Sequence, residues 1–551
     1  MPKYPCLNSV QTEVLRVQPR SFAVIILIVL AMTMSAAAQT YKDLYNAAGS
    51  PGLENPSGVI AQGHDGNLYS TSLNGGTFYG TGFKATPAGV VKVINDIGYF
   101  PASGLTLATD GDFYGTNQDG GVANNCGEAA GGQVYKLTAA GKITFLHNFL
   151  GTGDGCDPQS APIEGSNGIF YGTTNSTVYS VTSTGVFTTL HTFTGPDGSD
   201  PIAGLVQGID GNFYGTTYTG GKNNDGVIYQ MTPSGTVTVL YSFNGVPDGD
   251  AANYALIQAS DGNFYGVANA GGSFYGTVFK ITPSGTYKVL HTFAAGSKDG
   301  AGPSASLVQA SDGKLYGVTG GGGTSNLGTI FSITTAGKLS ILYNFSQSTG
   351  AVPSSPLVQH TSGKFYGQTT NGGNNDICNS AGCGVFYSFD MGFGAFVRLM
   401  TTSGTELSKV QILGQGFSKS SIVKFGGIPA PTIAVSGSTY VNATVPAGAQ
   451  SGFVTVTTGA TTLTSSQEFT VLPSITKFTP ASGSVGTAVT ITGGGLTGTS
   501  GVTFNGISVG SFTVVSDTEV TTDVPAGAKT GKIAVTTPVG TAISKTNFTV
   551  K

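Results

Sequence analysis

Short apolar stretches of strand length alternate with turn residues along most of this chain, and the alternation itself repeats. In residues 255–293 four such stretches follow one another: Ala255-Leu256-Ile257-Gln258, Asn263 to Val267, Thr277 to Thr282 and Thr286 to Phe293. Asp261-Gly262 separates the first two as a tight hairpin that needs positive φ, and Pro283-Ser284-Gly285 separates the last two. The pattern predicts four antiparallel strands, one blade of a β-propeller. The second stretch contains the adjacent pair Phe264-Tyr265. Neighbouring residues of a strand point to opposite faces, so the pair requires cover on both sides. Blades stacked around an axis supply that cover, each sheet packing on the next at roughly 10 Å.

A motif of turn, aromatic pair and glycine marks each unit. It reads Asp65-Gly66-Asn67-Leu68-Tyr69, Asp110-Gly111-Asp112-Phe113-Tyr114-Gly115, Asn167-Gly168-Ile169-Phe170-Tyr171-Gly172 and Asp210-Gly211-Asn212-Phe213-Tyr214-Gly215. It continues as Asp261-Gly262-Asn263-Phe264-Tyr265-Gly266, Asp312-Gly313-Lys314-Leu315-Tyr316-Gly317 and Ser362-Gly363-Lys364-Phe365-Tyr366-Gly367. Seven copies predict seven blades. A β-helix is the structural rival, but its coils repeat at roughly half this period. Thr40-Tyr41-Lys42-Asp43-Leu44-Tyr45 resembles the fourth strand of a unit yet precedes the first motif, so it is placed to complete the last blade and remove an open edge.

These units resemble the GloVer repeat, a tandem repeat of secreted bacterial proteins described from Gloeobacter and Verrucomicrobia. The resemblance covers roughly residues 40–392 and includes the stretch Gly276-Thr277-Val278-Phe279-Lys280-Ile281-Thr282-Pro283. It implies export and a propeller-like fold, and no catalytic residues. Ser70 replaces the motif glycine in the first copy and Asn167 the motif Asp in the third, departures expected to alter local turns only.

From about residue 393 the pattern changes. Phe425-Gly426-Gly427 with Val445-Pro446-Ala447-Gly448-Ala449 recurs 79 residues later as Phe504-Asn505-Gly506 with Val524-Pro525-Ala526-Gly527-Ala528. Two related β-sandwiches are expected, and their phrasing resembles the IPT/TIG immunoglobulin-like family, which supplies spacers and binding modules. The first copy departs near 401–406, where the second has Pro480-Ala481-Ser482-Gly483. The expected fold is all-β, a seven-bladed propeller over 39–392 followed by immunoglobulin-like sandwiches at 393–472 and 473–551.

Composition sharpens this picture. Charged residues are only 9% and glycines number 86, yet the glycines recur beside aromatic pairs, unlike a disordered chain. Net charge is −4 and the 24 basic residues are scattered, which argues against nucleic acid and anionic membranes as partners. Lys3, Arg16 and Arg20, an apolar run from Phe22 to about Met34, and Ser35-Ala36-Ala37-Ala38-Gln39 have the order of a secretory signal, with cleavage expected after Ala38. The run is shorter than the roughly 20 residues that span a bilayer, so no span is expected once it is cleaved. Cys6 would leave with that segment. Cys126, Cys156, Cys378 and Cys383 remain, an even number for an oxidising compartment, and pair in expectation as Cys126–Cys156 and Cys378–Cys383.

Catalytic signals are weak. Gly493-Gly494-Gly495-Leu496-Thr497-Gly498 fits a dinucleotide fingerprint by letter, but Gly501-Val502-Thr503-Phe504 reads as a strand where the fingerprint needs a helix. His147, His191 and His291 share one repeat position and read as structural, while His64 and His360 precede motif turns and are expected to face solvent. Asp154 with Asp157, Asp197 with Asp200, Asp248 with Asp250, and Asp299 lie in loops between units without calcium-loop spacing, and are expected to be solvated turns. No His-Glu-x-x-His or Gly-x-Ser-x-Gly element occurs. No cofactor or metal is expected. The expectation is a secreted or cell-surface monomer that binds a glycan or a surface protein without catalysis. Its alternatives are a polysaccharide-active enzyme with paired carboxylates at the propeller mouth and a purely structural envelope component. A polar ligand is expected on the rim formed by the most variable loops, such as 120–132 and 371–384.

Overall fold

The computed structural model describes residues 39–551 apart from 50–51, 78, 102, 123–124, 127–130, 247, 251, 375–377 and 379–380. The expected signal segment, residues 1–38, lies outside the described residues. Seven sheets repeat one plan. In blade 4, Val206–Gln207, Phe213–Thr216, Val227–Met231 and Val237–Ser242 pair in that order, each antiparallel to the next. Blade 7 is completed from the start of the chain, because Thr40–Asn46 pairs antiparallel with Val385–Asp390. Tyr41 then stacks on Tyr343 of blade 6 with ring centroids 4.1 Å apart. This velcro removes the open edge that an unclosed ring would expose.

The aromatic pair does what its adjacency requires. Tyr114 of blade 2 stacks on Phe170 of blade 3 at 3.7 Å, Tyr171 on Phe213 of blade 4 at 4.0 Å, and Tyr214 on Phe264 of blade 5 at 3.9 Å. Each strand thus sends Phe to one neighbouring blade and Tyr to the other. Burial of each such ring contributes on the order of 2 kcal/mol, with about 1 kcal/mol more from stacking geometry. The motif Asp secures the Tyr from the turn. It accepts from the hydroxyl of Tyr114 at Asp110 (2.8 Å), Tyr214 at Asp210 (2.9 Å) and Tyr265 at Asp261 (2.7 Å), and also from the amide two residues on. Asn167 keeps this arrangement with its amide donating to the Tyr171 hydroxyl at 2.8 Å.

The glycine after the pair is a spacing residue inside the strand, which corrects the expectation that its replacement affects turns. A Cβ on Gly215 would stand 2.5 Å from the Tyr229 hydroxyl, and one on Gly266 would stand 2.5 Å from the Phe279 ring. Ser70 of blade 1 holds the strand position paired with Phe83, and its hydroxyl accepts from the Gln368 amide of blade 7 at 2.8 Å. The departure from glycine therefore becomes a contact across the ring's closing junction.

Beyond Asp390 two sandwiches follow. In the first, Arg398–Leu399, Lys409–Leu413, Tyr440–Thr444 and Ile433–Ser436 form one sheet, facing a second built on Gly452–Thr458 and Thr461–Val471. Phe425 and Phe469 meet edge to face in its core at 5.1 Å. Ser403–Gly404 pairs parallel with Thr470–Val471, as Ser482–Gly483 does with Thr549–Val550, so the atypical 401–406 segment is the same element in both copies. In the second copy the dinucleotide-like glycines fall on the strand Ala488–Gly494 and a turn in which Asp517 accepts from the Gly495 and Thr497 amides; no helix follows, and Gly501–Phe504 is a strand.

Candidate functional site

Antiparallel order gives each blade two ends. The turns joining first to second and third to fourth strands lie on one side of the ring, the hairpin face. The loops joining second to third strands and the connections between blades lie on the other, the loop face.

On the hairpin face a belt of side-chain bridges joins neighbouring blades. The last residue of each inner strand accepts from a backbone amide in the motif turn of the preceding blade: Gln207 from Ser166 (2.8 Å), Gln258 from Ile209 (2.9 Å), Gln309 from Ser260 (2.8 Å), Gln359 from Ser311 (2.9 Å) and Gln62 from Thr361 (3.0 Å). Glu164 does the same for Thr109 at 2.7 Å. At the remaining junction, between blades 1 and 2, the position is Leu107, whose side chain accepts nothing.

The first sandwich docks at that break. Gln411 donates to the Thr109 carbonyl at 2.5 Å, Thr439 to the His64 carbonyl at 2.6 Å, and Gln415 to the Thr361 hydroxyl at 2.7 Å. Arg398, the sole arginine after residue 20, donates to the Gln359 carbonyl; burial pushes its guanidinium down to about 10. A cavity of about 250 Å³ remains between Ile60, Leu105, Leu107 and the sandwich residues Arg398, Met400 and Leu413. The two histidines expected to face solvent are part of this interface. His64 stacks on Tyr440 at 3.9 Å. His360 is 2% exposed, accepts from the Ser362 amide through Nδ1 and donates through Nε2 to the Gly66 carbonyl at 3.0 Å. Burial holds His360 down to about 4, helped by the nearby Arg398 charge, so it is neutral in this arrangement.

Among the described residues the loop face carries no such sandwich contacts. Disulfides join Cys126 to Cys156, between the long loop of blade 2 and the connection to blade 3, and Cys378 to Cys383 within the long loop of blade 7. Four of the interblade aspartates, Asp154, Asp197, Asp248 and Asp299, are loop caps and not freely solvated turns. Asp154 accepts from the Leu150 amide and pairs with His147 at 3.0 Å, Asp197 accepts from the Thr194 amide and pairs with His191 at 2.7 Å, and Asp299 accepts from the Ala294 amide and lies 3.3 Å from His291. In blade 4 the same role falls to Asp248 with Tyr241. These His–Asp pairs recur at equivalent positions with one partner each, which is the mark of a structural repeat. Among the described residues no group of three or more His, Cys, Asp or Glu is arranged to hold a metal ion. A cleft of about 530 Å³ opens on this face between Gly195, Pro196, Ser199, Thr219, Lys222 and Asn224.

Sequence reasoning missed the glutamine belt and the docked sandwich. The belt had a signal, an apolar-Gln pair before five of the seven motif turns with Ile163-Glu164 before a sixth, and Leu107 at the same position marked the gap.

The Gloeobacter/Verrucomicrobia repeat matches residues 173–380, and the IPT/TIG domain matches residues 398–471 and 473–551. Compared with curated proteins, the chain finds no match. Among solved structures it is similar to a fungal alcohol oxidase in complex with copper, with 13% identity and a TM-score of 0.41 over 79% of this chain and 99% of that one. It is also similar to a gluconolactonase from Xanthomonas campestris, with 11% identity and a TM-score of 0.35 over 65% of this chain and 92% of that one. A PQQ-bound aldose sugar dehydrogenase from Streptomyces coelicolor gives 13% identity and 0.36 over 64% and 98%. Likeness at this level says nothing about chemistry.

Proposed function

We propose that this chain, which carries a Gloeobacter/Verrucomicrobia repeat region and two IPT/TIG domains, is an exported, non-enzymatic binding protein that takes a glycan on the loop face of its propeller. The observation that carries the reading is the difference between the two faces: the first sandwich is seated on the hairpin face, while the loop face stays open and bears the long loops. Stapling those loops lowers the ordering cost of a bound ligand. Two disulfides favour an oxidising compartment outside the cytosol. Four of the loop-face acids that an enzyme reading would enlist, Asp154, Asp197, Asp248 and Asp299, are committed to loop caps, which favours binding over hydrolysis. A glycan array combined with a polysaccharide-hydrolysis screen on the mature protein tests this. Binding without product release is expected; reducing ends released at catalytic rates would replace the reading with a polysaccharide-active enzyme. Fractionation of the producing cells should find the protein outside the cytoplasm, and a cytosolic pool with four free thiols would overturn export.

A further inference from the structure

The loop face combines exposed aromatic rings with an excess of carboxylates over basic groups among the described residues. Tyr79 and Tyr99, from the loop joining second to third strands of blade 1 and the connection to blade 2, stack 4.7 Å apart at 21°, yet remain 56% and 46% exposed. Phe100 follows at 41%. A pair of rings that pack on each other and not on the core forms a platform, and unpartnered aromatic surface of this kind marks recognition. The backbone supports the presentation: Tyr79 and Phe100 hold φ of 72° and 48°, a region bulky residues leave unless their surroundings hold them there.

Charge decides what would lie on the platform. Gly120 lies against the Tyr99 ring, and Asp119 is the residue before it in the chain. The Cys126–Cys156 disulfide ties the long loop of blade 2 to the connection that carries Asp157, the residue after Cys156. Burial pushes both carboxyls above the ordinary range, and the Asp119 charge adds to the rise at Asp157. Neither makes an ion pair among the described residues, and the described loops of this face carry nine aspartates against two lysines, Lys222 and Lys298. Blade 5 exposes two further rings on this face. Phe274 and Tyr275 of blade 5 are 81% and 44% exposed, and Gly271 at the base of their loop packs on the backbone of Asp250. A ring face attracts a cation through its quadrupole and a carboxylate attracts it by Coulomb's law, while both repel an anionic polymer.

Resting on the glycan reading above, we propose that the ligand of this face is a polysaccharide bearing free ammonium groups, its sugar rings lying on Tyr79 and Tyr99 and its amines facing Asp119 and Asp157. The exposed Phe274 and Tyr275 rings offer a second point of attachment, so a chain long enough to reach both gains by effective concentration. Acidification removes the two carboxylate charges at a higher pH than for ordinary aspartates, so binding is lost as pH falls through that raised range.

The test uses the full mature protein and four probes: a glucosamine hexamer, its N-acetylated counterpart, polygalacturonate and polylysine. The glucosamine hexamer should bind, N-acetylation should weaken binding by about tenfold or more, and polygalacturonate should not bind. Tyr79→Ala and Tyr99→Ala should each weaken the glucosamine hexamer roughly 3- to 30-fold at unchanged melting temperature. Asp119→Asn with Asp157→Asn should weaken it and flatten its dependence on salt, because screening acts on the lost charge. Equal or tighter binding of the acetylated hexamer or of polygalacturonate would overturn the amine proposal while leaving the glycan reading standing. No binding to any of the three glycans would overturn both. Polylysine binding as tightly, with the same loss in the tyrosine variants, would assign the face to basic peptide segments instead.

Discussion

The two faces of the propeller are built from the same seven units and have diverged in opposite ways. The hairpin face repeats closely: its turns hold a positive-φ glycine such as Gly66, Gly211 or Gly262, and six of its seven junctions share one side-chain bridge. Its departures cluster on blades 7, 1 and 2, where Leu107, His64 and His360 stand, and there the first sandwich is seated. A Cβ on Gly66 would strike Thr439 of the sandwich and one on Gly363 the Phe393 carbonyl, whereas one on Gly168, Gly211, Gly262 or Gly313 would meet nothing. The loop face varies everywhere, in length, in disulfides and in exposed rings. Repetition builds the scaffold, and breaks in repetition mark what each face touches.

The largest break of this comparison is loss of the ring itself. Deleting residues 39–47 removes the strand paired with Val385–Asp390 and the Tyr41 stack, so it should cost more than about 5 kcal/mol and disorganise both faces together, read as a collapse of the propeller melting transition. An unchanged transition would refute closure by this strand. Cys126→Ser with Cys156→Ser acts on the loop face alone. Releasing a loop of 30 residues should cost about 3 to 4 kcal/mol in calorimetry while leaving sandwich docking intact.

Acid acts on the hairpin face. His360 is held at about 4 in the fold and returns to its ordinary value near 6.5 on unfolding, so the native state binds fewer protons between those values. Its contribution, at most on the order of 3 kcal/mol, is present above pH 6.5 and is lost as pH falls from about 6.5 towards 4. His360→Gln should lose less stability across that window than the wild type. Carboxylates held low, such as Asp65 and Asp110, lose stability in the same direction in both proteins. Arg398→Gln should weaken docking by about 2 kcal/mol, seen as separate propeller and sandwich transitions. The smallest effect lies between the faces. Tyr229 buries its hydroxyl without a hydrogen-bond partner where blades 5 and 6 have Phe279 and Phe331, so Tyr229→Phe should be neutral or stabilise by up to about 1 kcal/mol in denaturant titration.

The blade plan was legible because its cause is local: an Asp-Gly turn and an adjacent Phe-Tyr pair dictate a hairpin with both faces covered. The closing strand was legible too, since Thr40–Tyr45 carries the fourth-strand pattern out of place. The role of the motif glycine was not, because what it makes room for, the Tyr229 or Phe279 ring, comes from the next strand. His64 and His360 were misplaced for a related reason. The equivalents of His64, such as Ser260 and Ser311, do face solvent, and only its stack on Tyr440, far along the chain, covers that edge; His360 stands where Ala259 and Ala310 are already buried, so its larger ring is enclosed from the start. The acidic loops misled because a cap and a solvated turn share one composition, and the His or Tyr that distinguishes them lies on the preceding strand.

Hydrogen exchange of the full chain tests the contrast between covered and open turns most directly, because the turn amides make the same local bonds in every blade. Gly66 donates to Gly63 and Gly363 to His360, as Gly211 donates to Gly208 and Gly262 to Ala259. If the first sandwich covers blades 7 and 1, the Gly66 and Gly363 amides should exchange at least about tenfold more slowly than those of Gly211 and Gly262. Equal exchange at all four would contradict a closed hairpin face, and with it the reason for placing the ligand on the loops.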